Sequence, residues 1–125
     1  MMGYRWQELP GEEALKKGLR YYAGNAPVAG VELIEIAARD SVPQAIALLG
    51  DAYSRGVGVE YNPRLALEYF HAAALAGYAP AQLLIADLLD FYPDVFEEDA
   101  EYWREKAEEA GITDAEKAYE MMLGE

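Results

Sequence analysis

The stretch Tyr53-Ser54-Arg55-Gly56-Val57-Gly58-Val59, continued through Glu60 and Tyr61 into Asn62-Pro63-Arg64-Leu65-Ala66-Leu67-Glu68-Tyr69-Phe70-His71-Ala72-Ala73, decides the fold. Two glycines two residues apart interrupt a periodic apolar pattern and mark a connecting loop. Asn62 then suits an N-cap and Pro63 the first helical position, where the missing amide hydrogen costs nothing. Beyond them Ala66, Tyr69, Phe70 and Ala73 fall on one helical face, and Gly77 suits the left-handed residue that ends a helix. The stretch is therefore helix, glycine loop, helix.

The same pattern recurs on both sides. Gly30, Leu33, Ala37, Ser41 and Ala45 are each followed 36 residues later by Ala66, Tyr69, Ala73, Gly77 and Ala81. A further 34 residues lead to Ala100, Trp103, Ala107, Gly111 and Ala115. A period of this size is the mark of a repeat architecture. Helices are predicted near 11–23, 28–40, 43–54, 63–76, 80–91, 97–110 and 114–123. Thr113 and Glu116 stand at capping-box spacing, which gives the last helix its own start, and it is expected to cover the exposed face of the third unit. Small residues recur where paired helices must approach closely, at Gly18, Gly50 and Ala86 on the first helices and at Ala37, Ala73 and Ala107 on the second. A single pair cannot bury its own apolar face, so neighbouring pairs must stack. The expected fold is all-α: a short right-handed α-solenoid of about three antiparallel helix-pair repeats, at 11–42, 43–78 and 79–112, closed by a capping helix at 113–123.

The middle unit resembles the Sel-one-like repeat, a relative of the tetratricopeptide repeat. The resemblance rests on Tyr53 before Gly56-x-Gly58-Val59, a glycine loop that ordinary tetratricopeptide units lack, and on Ala66-Leu67-x-Tyr69-Phe70-x-Ala72-Ala73 after it. The outer units match less closely. Unit one keeps Gly18, Tyr21, Tyr22 and Gly24 around a contracted loop, and unit three keeps Ala100, Tyr102, Trp103, Ala107 and Gly111 without the glycine pair. Tyr4 and Trp6 stand outside the repeats, as a packing segment or an added contact. The resemblance implies an adaptor or scaffold that binds a protein or peptide. In bacteria, the same resemblance covers immunity proteins that neutralise a toxin.

Composition bounds the other classes. With 125 residues the chain is of one-domain length and can support a core. It has no cysteine, so disulfides, thiolate metal sites and a cysteine nucleophile drop out. The net charge of −13 disfavours contact with nucleic acid and either steers a basic partner or serves solubility alone. No apolar run approaches membrane-spanning length, and residues 1–8 have no secretory pattern, so a monomer resident in the cytoplasm is expected.

On the tetratricopeptide pattern, the first helix of each unit lines a concave groove. That places Glu12 and Tyr22, then Gln44, Asp51, Ser54 and Arg55, then Leu83, Asp87, Asp90 and Phe91 as protein-binding candidates. Leu15 and Leu19 occupy the same face, and both, like Leu83, read equally well as core. Tyr53, Tyr69 and Tyr102 are expected to pack between helices, leaving Tyr22, Tyr61, Tyr78 and Tyr92 freer. His71 is expected on the outer face, solvated and without a nucleophile beside it. The acidic run from Asp87 to Glu101 has neither calcium-loop spacing nor a clear carboxylate pair, and reads as helix N-terminal charge and solvated surface. A hydrolase working through Asp90 and Glu98 is the rival from another class. No catalytic residue, cofactor or metal is assigned.

Overall fold

A computed structural model describes residues 6–124; the expectation for Tyr4 lies outside them. A 3-10 turn at Trp6–Glu8 leads into seven α-helices: α1 Gly11–Ala23, α2 Pro27–Arg39, α3 Pro43–Arg55, α4 Pro63–Leu75, α5 Ala79–Leu89, α6 Ala100–Glu109 and α7 Ala115–Leu123. Among the described residues there is no strand. Helices α1 and α2, α3 and α4, and α5 and α6 pair in chain order, and α2 on α3 and α4 on α5 stack the pairs. The architecture is the expected α-solenoid of helix pairs.

Local chemistry sets most helix starts. Proline occupies the first turn of α2, α3, α4 and α5, and the Asn62 side chain accepts from the Leu65 amide. Two starts differ from expectation. Helix α6 begins at Ala100, not near 97, because the Asp99 carboxylate caps it by accepting from the Tyr102 amide at 2.9 Å. Helix α7 is capped by Asp114, which accepts from Lys117 N at 2.9 Å, and not by Thr113. A carboxylate at that position also meets the positive end of the helix dipole.

The repeat is visible in the turns that end the second helices. Ala37, Ala73 and Ala107 are each wholly buried, and their carbonyls accept from Val42, Tyr78 and Ile112. The left-handed residue between is Ser41, Gly77 or Gly111. Each unit thus ends in the same Schellman turn, followed by an apolar residue folded back on the helix. Close approach follows from the small residues: a Cβ on Gly50 would lie 2.9 Å from Cγ of Phe70, and one on Gly18 would lie 3.0 Å from Cγ1 of Ile34. Phe70, Leu33, Ile34, Leu48 and Ile85 are among the largest fully buried side chains of the core.

Candidate functional site

The sequence predicts a binding groove lined by α1, α3 and α5, and the chain's own last helix lies against two of these helices. Helix α7 packs chiefly on α5 and reaches α3. Gln44 Nε2 donates to the Met122 carbonyl at 2.7 Å, and a Cβ on Gly124 would lie 3.9 Å from Cδ1 of Leu19 in α1. The last helix therefore lies on α5 and reaches α3, with its C-cap residue beside Leu19 of α1, where the sequence places it only over the third unit. Ala118 and Met122 are its wholly buried side chains.

Under α7 lies a polar cluster built by α1 and α3. Asp51 is 0% exposed, and its Oδ2 accepts from the Tyr22 hydroxyl at 2.7 Å. Arg55, one turn on, donates from Nε to Oδ1 at 2.9 Å and from Nη2 to Oδ2 at 2.6 Å. Both carboxylate oxygens are thus used, which is what a buried charge requires. Burial and the adjacent carboxylate push the Tyr22 phenol well above its ordinary range. Arg55 is held more firmly protonated, chiefly by its hydrogen bonds to Asp51. Tyr119 of α7 shares this field: burial raises its phenol, and the Asp51 charge adds to the effect.

The predicted residues divide accordingly. Tyr22, at 4% exposure, and Asp51 are interior groups and not a free groove surface. The reason is their mutual bond, which ties α1 to α3. Ser54, half-buried, turns its hydroxyl to the Asp51 carbonyl, and Arg55 reaches solvent. Gln44 is spent on α7, and Leu83, with Leu15, is core. Asp87 and Asp90 are exposed and share Arg104 of α6, at 3.4 and 2.8 Å. Glu12 is exposed in the first turn of α1, and Phe91 stands out at 80% exposure on the turn beyond α5.

Other expectations are corrected. His71 is not solvated: its ring stacks on Phe96 at 3.7 Å, meets Trp103 edge-on and bonds Glu98 Oε1 at 2.8 Å. The α5–α6 loop therefore folds back on α4, and Glu98 serves as a latch there. Bonding to His71 holds its carboxyl below the usual glutamate range. A cleft of about 550 Å³ opens between this loop and α4, lined by Leu67, Tyr92, Val95 and Phe96 with Arg64 and Glu68. Tyr53 and Tyr69 stack at 5.7 Å as expected, but Tyr102 is exposed and Tyr78 half-buried, its phenol pushed up to about 12 by burial. Trp6 packs its ring against Tyr21 at 6.3 Å. Residues that the sequence reading did not single out are Ala118, Tyr119 and Met122, whose signal is their placement on one face of the last helix.

Among the described residues no group of three or more His, Asp or Glu side chains could hold a metal ion, and no helix is long and apolar enough to cross a membrane. No family model matches the chain, and no curated protein matches it. Among solved structures it is similar to a Sel1 repeat protein from Oxalobacter formigenes, with 32% identity, a TM-score of 0.76, and 85% of this chain and 86% of that one covered. At that identity, over that share of both chains, the chain belongs to the Sel1 repeat family.

Proposed function

We propose that this chain is a protein- or peptide-binding module, an adaptor or scaffold with no chemistry of its own. The observation that carries the reading is that α3 and α5, first helices of their pairs, form a trough that already accommodates one helix, α7. A surface that takes a helix in cis has the width, apolar floor and polar fringe to take one from a partner. The exposed acids Asp87 and Asp90 border that trough, and the net charge of −13 favours a basic partner, which the field would steer toward it. Action as a monomer in the cytoplasm belongs to the same proposal. The immunity-type reading is a special case in which the basic partner is a toxin.

Affinity capture with the intact chain as bait, at low and at high salt, followed by titration of the purified partner, tests the proposal. The expected result is one protein that binds the purified chain directly, more weakly at high salt and more weakly with Asp87→Lys and Asp90→Lys. Turnover of a substrate by the chain, or failure of every captured protein to bind it directly, would overturn the reading.

A further inference from the structure

Resting on the binding-module reading, we infer that α7 is a displaceable occupant of the concave face. The partner admitted in its place presents a short amphipathic helix of α7's own chemistry: a small residue, a phenol next to it, and a methionine-sized apolar residue four positions after the small one. The template is Ala118, Tyr119 and Met122.

Three observations support displacement. First, α7 spans only Ala115–Leu123, a length that has little helical stability of its own, so its shape depends on the surface beneath. It also leaves α6 early. The turns before α3 and α5 occupy residues 40–42 and 76–78, whereas residues 110–114 precede α7, and this longer link carries it across α5 instead of stacking it behind α6. It is a tethered helix laid in a trough. Second, its hydrogen bond from Gln44 goes to a backbone carbonyl, that of Met122, which a helix of any sequence offers in the same way. Third, the polar floor is complete without it. Asp51 is satisfied by Tyr22 and Arg55 from α1 and α3, so lifting α7 strands no buried charge. Selectivity then falls to what α7 adds above that floor, which is the pocket for Met122, the close approach at Ala118 and the placement of the Tyr119 phenol near Asp51.

The absence of cysteine makes a clean test possible in the full chain. Gln44→Cys with Leu123→Cys, closed by a disulfide, ties α7 down beside the Gln44–Met122 contact. A fluorescent peptide with the sequence of residues 112–124 is titrated against the bridged chain, the same chain reduced, and Met122→Ala, to about 1 mM, the order of the effective concentration set by a short tether. Binding should be absent in the bridged chain and return on reduction. In Met122→Ala it should be about tenfold tighter than in the unmodified chain, because the competing helix is weakened. A Tyr119→Ser, Met122→Ser version of the peptide should not bind. Equal binding to bridged and reduced chains, or no binding to any form, overturns the inference. The binding-module reading fails separately, through the capture experiment.

Discussion

Asp51→Ala should be among the costliest single substitutions in the chain, and the Tyr22 hydroxyl explains why. The carboxylate is fully buried and accepts three hydrogen bonds, one from Tyr22 at 2.7 Å and two from Arg55 at 2.9 and 2.6 Å. The Arg55 side chain is 51% exposed, so water replaces most of what it loses, and its share is about 1 kcal/mol at most. Tyr22 is 4% exposed and cannot turn to solvent. Its stranded hydroxyl costs about 1–3 kcal/mol. A small cavity adds about 1 kcal/mol, while relief from desolvating a carboxylate works in the opposite direction. The net loss is about 3 kcal/mol, or roughly a 10 °C fall in Tm for a domain of this size. Urea unfolding followed by circular dichroism measures it. The decisive comparison adds Tyr22→Phe. Alone, Tyr22→Phe should lower stability by about 1 kcal/mol; on top of Asp51→Ala it should raise stability, because it removes the orphaned hydroxyl. If Tyr22→Phe costs the same in both backgrounds, the two groups are not coupled and the account of this cluster is wrong.

Alkali should act through the same tyrosine. The folded protein keeps the Tyr22 proton at pH values where the unfolded chain has lost it, so this contribution is complete below about pH 10 and declines above it. Tyr22→Phe should flatten the alkaline limb of a stability–pH curve, and an unchanged limb would count against the assignment. At the acid end, Glu98 titrates below its ordinary range in the folded chain, so its bond to His71 contributes above about pH 4 and is lost as pH falls through the lowered value. Trp103 fluorescence in a Trp6→Phe background should report that loss, and Glu98→Gln should remove the transition. Finally, Gly58→Ala should cost about 2–4 kcal/mol, since φ is +76° and the new Cβ would lie 2.4 Å from the Pro27 carbonyl oxygen, a backbone atom that cannot turn aside. Gly77→Ala, at φ +87° with open space around it, should cost only about 1–2 kcal/mol, and equal losses in urea unfolding would refute the packing argument.

The helices were legible because their ends are written locally. Proline at the starts of α2 to α5, Asn62 before α4, and Ser41, Gly77 and Gly111 at the ends each act within four residues of themselves, where sequence spacing and spatial contact coincide. The pairing was legible for a related reason: Ala37, Ala73 and Ala107 recur because the same turn is built three times. His71 was misread because its partners Phe96, Glu98 and Trp103 arrive from a loop and a helix more than twenty residues away, and no periodicity connects them. Helix phase placed it opposite the Ala66–Ala73 stripe, and that face is covered by the returning loop. Tyr22 and Asp51 were misread in the opposite sense. Polar atoms suggested exposure, yet each satisfies the other across 29 residues, and the pair can be buried where neither could be alone.

The path of α7 shows where repeat logic stops being sufficient. Up to Gly111 the third unit repeats the second: the same Schellman turn, the same left-handed residue, the same apolar residue folded back at Ile112. In the second unit the next helix starts at Ala79, one residue after Tyr78; in the third, Thr113 and Asp114 intervene and the helix starts at Ala115. The capping Asp114 fixes that later start, since its carboxylate holds the Lys117 amide. A helix begun there leaves the superhelical path, and the free apolar surface within its reach is the floor between α3 and α5. Ala118 and Met122, four apart and both fully buried, meet that floor, while Glu116, Lys117 and Glu120 stay in solvent. The two added residues therefore do more than end the array. They turn what would be a fourth first helix across α5 toward α3, so that it lies on helices that precede it by more than twenty residues.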